Sequence, residues 1–150
     1  MEIDALDNSR ELQDGGAGVE NAALREAVRR FEACEYALAE FTHARHLTVA
    51  CWYLCASSRE VALERMRAGL QRFIAHHGKD GYHETITRFW MELLDECLRG
   101  LPLDMPLAAK VKSVVAKYSR KDVLFAHYSR ELVMSERARR EWVEPDMRSI

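Results

Sequence analysis

NAALREAVRRFEACEYALAEFTHARHLTVACWYLCAS, residues Asn21 to Ser57, is the stretch that decides the fold. At 100° per residue, one arc of it collects Leu24, Ala27, Val28, Phe31, Cys34, Leu38, Phe41, Val49, Trp52 and Tyr53. Asn21 is suited to cap the start, and Ser57 with Ser58 marks a break at the end. This periodicity predicts one amphipathic helix of roughly ten turns. Glu35, Thr42, Arg45 and His46 fall inside the apolar arc, and His43 sits at its edge. A line of polar groups in an apolar face needs either partners or a purpose.

Upstream, residues 1–20 hold few large apolar side chains and a Gly-Gly-Ala-Gly break, so they are expected to form a flexible leader. A short helix near Ile3–Leu12 would be marginal alone. Downstream, Ser58 caps a second predicted helix running to about His77, with Gly78 placed to stop it. Its stripe is Leu63, Met66, Leu70, Phe73 and Ile74, interrupted by Arg59, Arg67 and His77. A third helix is predicted over Tyr82–Arg99 and ends at Gly100. A fourth begins after Pro106, a fifth near Lys121, and a short sixth spans Glu136–Val143.

No segment alternates with period two. The expected fold is therefore all-α: a compact bundle of five to six helices organised around one long N-terminal helix. Residues 21–145 form its single domain, and 146–150 are expected to be a tail. A chain of 150 residues can bury a core without staples.

The net charge of -2 argues against a nucleic-acid partner, whose footprint would be basic. The four cysteines form no CxxC pair and read as reduced core or boundary residues. No apolar run approaches the roughly 20 residues of a membrane span, and no secretory h-region is visible. These features predict a cytoplasmic chain without a membrane partner, and the long helix leaves room for a homodimer.

Several residues suggest chemistry. His43 and His46 have i,i+3 spacing, which places two imidazoles on one side of a helix. His83 lies on the apolar face of a later helix and is a candidate third nitrogen. Together His43, His46 and His83 would suit a divalent transition metal such as Zn, Fe or Cu with an open position. Without a metal, His46 and His83 are the candidate catalytic acid/base groups. Arg45 and Arg67 are candidates to hold an anionic small molecule, with Thr42, Tyr53 and Thr87 adding hydroxyl contacts. For Arg67 the competing expectation is a bridge to Glu35, which lies about 16 Å before His46 along the helix.

Other signatures are missing. His83-Glu84 begins like a zinc-protease motif, but position 87 is Thr. No nucleotide cofactor motif of the GxGxxG or GxxxxGK[ST] type is present, and only one ExxH occurs. Two functions remain in view: a small enzyme using histidine chemistry on an anionic molecule in an interhelical pocket, and a non-catalytic binding or protein-interaction module with satisfied core histidines.

Overall fold

The stretch from Asn21 to Ser57 folds as two helices with a corner between them. In the computed structural model, which describes residues 15–150, the first helix α1 spans Gly15–Glu32 and the second, α2, spans His43–Ala56. The remaining helices are α3 (Arg59–His76), α4 (Glu84–Arg99), α5 (Leu107–Lys117), α6 (Leu124–His127), α7 (Arg130–Val133) and α8 (Glu136–Arg140). Single 3₁₀ turns lie at Leu38–Glu40 and Lys121–Val123, and there is no strand among the described residues.

The corner has a specific cause. Glu35 N–H donates to Arg30 O (2.8 Å) and Cys34 N–H to Phe31 O (3.0 Å). This is the Schellman pairing, with Cys34 at φ 57 in the position that glycine normally takes. The left-handed conformation costs a side-chain-bearing residue about 1–2 kcal/mol. Packing holds it there: Phe41 turns back to stack on Phe31, centroids 4.7 Å apart, and lies 5.1 Å from Phe73. Thr42 then caps α2, accepting from Arg45 N–H at 3.3 Å. The predicted ten-turn helix is thus replaced by a bent pair, because apolar residues of the corner keep the helical spacing without the helical backbone.

Helix α2 is the centre of the bundle and packs against α1, α3, α4 and α5. Its buried residues Leu47, Val49, Ala50, Cys51, Tyr53 and Leu54 point to several sides, as a core helix requires. The predicted ends after it hold: Ser58 caps α3 through Val61 N–H (3.2 Å), and Gly78 takes φ 66 just past its end. Gly69 of α3 lies so close to α1 that an added Cβ would come within 2.6 Å of Phe31 Cε2.

A second cluster gathers Phe89 and Leu93 of α4 with Leu124, Tyr128, Val133, Ala138 and Val143. Trp90 and Tyr118 pack against both clusters, which joins them into one core. The predicted fifth helix is divided into the 3₁₀ turn, α6 and α7, because Ser129 starts a new cap by accepting from Leu132 N–H. Ser135 caps α8, which ends at Arg140 and not at Val143.

Residues 146–150, expected as a tail, are docked. Met147 N–H donates to His127 O (3.0 Å), Ser129 N–H to Asp146 Oδ1 (2.8 Å), and Ile150 packs on the second cluster. Of the expected leader, residues 1–14 lie outside the described residues, as does the short helix near Ile3–Leu12. The glycines at 15, 16 and 18 fall inside α1 and do not break it. Among the described residues, no helix is long and apolar enough to cross a membrane.

Candidate functional site

A cavity of about 310 Å³ opens where α2, α3 and α4 meet the Lys121–Phe125 segment. That size falls at the lower end of small-molecule pockets. Leu47 and Ala50 of α2, Met66 and Leu70 of α3, Ile86, Trp90 and Met91 of α4, and Leu124 and Phe125 supply an apolar wall, with Phe41 of the corner closing one side. Four polar residues interrupt it: His43, His46, Thr87 and Lys121.

The local reasons are plain. The corner at Cys34–Thr42 swings Phe41 over the start of α2, so the first turn of that helix looks into the core. His46 therefore lies one turn inside the cap, its ring 4.8 Å from that of Phe41. His46 is partly buried and lines the cavity. Its ring nitrogens have no hydrogen-bond partner among the described residues. Burial, with smaller electrostatic contributions from the neighbouring His43 and Lys121, pushes its pKa down to about 4. The imidazole is neutral at neutral pH, with one N–H donor and one lone pair unused.

His43 and His83 are placed differently. His43 Nε2 bonds to Tyr118 O at 2.9 Å, and its ring meets Trp90 edge-on at 4.9 Å. It lines the cavity but is tied to the end of α5. His83 is the N-cap of α4: Nδ1 accepts from Ile86 N–H at 3.1 Å, and Nε2 donates to Val133 O at 2.6 Å. Burial lowers its pKa as well.

Both nitrogens of His83 are committed, so it has no lone pair for a metal and no open nitrogen for proton transfer. Among the described residues, no group of three or more His, Cys, Asp or Glu side chains is arranged to hold a metal ion. The expected His43–His46–His83 set is not assembled, and the residues present do not fit the transition-metal site predicted from the spacing.

The expected anion-binding residues are also engaged elsewhere. Arg67 grips Glu84 through Nε (2.8 Å) and Nη2 (2.6 Å), and also bonds Glu64. Tyr82 OH donates to the same Glu84 carboxylate at 2.7 Å. The guanidinium holds the Glu84 carboxyl below its usual range. Glu35, in the corner just past α1, instead pairs with Arg29 of α1, at 2.9 and 2.7 Å. With Arg67 on Glu84 and Glu35 on Arg29, the expected Glu35–Arg67 bridge is not formed.

Arg45 is exposed, donates to Glu40 O at 2.6 Å and lies over Tyr36. Thr42 is spent on its cap. Tyr53 donates to Glu32 Oε1 at 2.7 Å on the α1 side of α2. Thr87 does line the cavity, with its hydroxyl donating to His83 O at 2.8 Å.

Of the predicted site residues, the structure therefore brings His43, His46 and Thr87 to one cavity and leaves His83, Arg45, Arg67, Thr42 and Tyr53 outside its lining. Sequence reasoning missed Lys121. In the sequence it stands in a polar turn, Ser119 to Asp122, with nothing to indicate that the turn folds back over α2. The chain matches no protein-family model, no curated protein and no solved structure.

Proposed function

We propose that this chain binds a small, mainly apolar molecule in the cavity between α2, α3 and α4. The observation that carries this reading is His46: a neutral, partly buried imidazole set in an apolar cavity wall, with neither nitrogen bonded to another described residue. A ligand with one polar end would find a hydrogen-bonding group at His46 that no protein atom occupies, while the surrounding side chains bury its body. Proton transfer is served less well. A base is most effective when its pKa lies near the working pH, and His46 sits well below neutrality. The arrangement thus favours the binding module over the histidine enzyme.

Ligand titration tests this reading. The probes are 1-octanol, 2-phenylethanol, octanoate and phenylacetate, each an apolar body with one polar end. A bound probe at about 100 times its Kd adds about 2.7 kcal/mol to folding stability. The expected outcome is a rise in Tm of several degrees with at least one probe, accompanied by a shift of the His46 ring resonances in NMR spectra. If no probe moves either observable, the cavity is packing space and the reading is wrong.

A further inference from the structure

We infer that the cavity takes a small monocarboxylic acid, bound tail first, with its carboxylate between the His46 imidazole and the Lys121 ammonium. This rests on the cavity being a binding site, and it adds the chemical class of the ligand.

The two polar groups are complementary in kind. Lys121 is exposed and lines the cavity from the 3₁₀ turn, where its charge is felt at His46. Its ammonium forms no hydrogen bond or ion pair among the described residues. The nearest carboxylate in sequence, Asp122, does not neutralise it, because Arg120 Nε holds Asp122 Oδ1 at 3.1 Å. An uncompensated cation and a neutral N–H donor therefore flank the same space. The cavity lining contributes no carboxylate that would repel an anion.

Exposure decides which way round the ligand lies. A carboxylate buried fully in an apolar wall would be costly. Beside Lys121 it keeps part of its hydration and gains a charge-assisted hydrogen bond. The tail then runs inward against Met66, Leu70, Trp90 and Met91, which present no charge. The remaining cation candidates are excluded by their own contacts. His43 is bonded to Tyr118 O, and Arg45 and Arg67 lie outside the lining.

Matched pairs separate this inference from the cavity reading. Calorimetric titration compares octanoate with 1-octanol, and phenylacetate with 2-phenylethanol, in the full chain and in Lys121→Met and Lys121→Arg. The acid of each pair is expected to bind about tenfold more tightly than its alcohol, the scale of one charge-assisted hydrogen bond. Lys121→Met should remove that preference, so that acid and alcohol bind alike in the variant, and Lys121→Arg should retain the preference. Alcohols that bind as well as their acids would overturn the carboxylate assignment while leaving the cavity a binding site. An acid preference that survives in Lys121→Met would overturn it equally. Failure of all four compounds would remove the binding site itself.

Discussion

His46 is where stability and binding meet in one side chain. Its folded-state pKa is depressed to about 4 from an ordinary 6.5, chiefly by burial. The unfolded chain therefore takes up a proton at a pH where the folded chain resists it. Stability contributed by the neutral ring is fully present above about pH 6.5 and is lost as the pH falls toward 4. The full shift corresponds to on the order of 3 kcal/mol. His83, also lowered by burial, acts in the same direction, whereas Glu84, held down by Arg67, acts in the more acidic range. Urea unfolding measured from pH 7 to 4 should show a declining free energy, and His46→Phe should flatten much of that decline. An unchanged slope in the variant would mean that His46 is not shielded as described.

At the scale of the elements, the α1–α3 contact is set by a single missing side chain. Alanine in mid-helix is ordinarily more stable than glycine by about 1 kcal/mol. At Gly69 the sign reverses, because the new Cβ would lie within 2.6 Å of Phe31 Cε2 and 2.9 Å of Cζ. Phe31 cannot move aside easily, being fully buried and stacked on Phe41. Gly69→Ala is expected to destabilise the fold by about 1–3 kcal/mol, the usual scale of overpacking. Adding Phe31→Leu should relieve part of that cost, so that the two changes are not additive in denaturant midpoints. A stabilised Gly69→Ala would show that the two helices have room to separate.

Across the whole molecule, a buried hydroxyl of α4 helps fasten the C-terminal third to the bundle. Thr85 Oγ1 donates to Glu141 O at 2.7 Å and accepts from Val143 N–H at 3.2 Å. Tyr128 OH adds a bond to Val143 O at 2.6 Å. The Thr85 bonds hold the segment after Tyr118 against α4, the Tyr128 bond ties that segment to itself, and the segment carries Lys121, Leu124 and Phe125 to the cavity. Thr85→Val keeps the shape but leaves two backbone groups without a partner, at about 1–3 kcal/mol. Hydrogen exchange at the Val143 amide should accelerate more than exchange in α2. Equal acceleration of both would show that the segment does not open independently of the bundle.

What the residues determined by themselves is local. Period-3.6 patterning excluded strands, and Ser58, Gly78, Gly100 and Ser135 marked helix ends, because capping and left-handed turns depend on a few neighbouring atoms. The corner at Cys34 escaped that reading: Leu38 and Phe41 continue the helical spacing through a segment that is not α-helical, and Cys34 stands where glycine would have signalled the stop. His46 and Thr87 were legible as polar groups among apolar ones, but the same signal marked Glu35, Thr42 and Arg45, which face partners or water. A polar residue within an apolar arc does not reveal what lies opposite it. Only the tertiary structure decided that His83 spends both nitrogens, that Arg67 grips Glu84, and that Lys121 lines the same cavity as His46. Those pairings depend on how helices distant in sequence lie against one another, and that geometry is a property of the packed core.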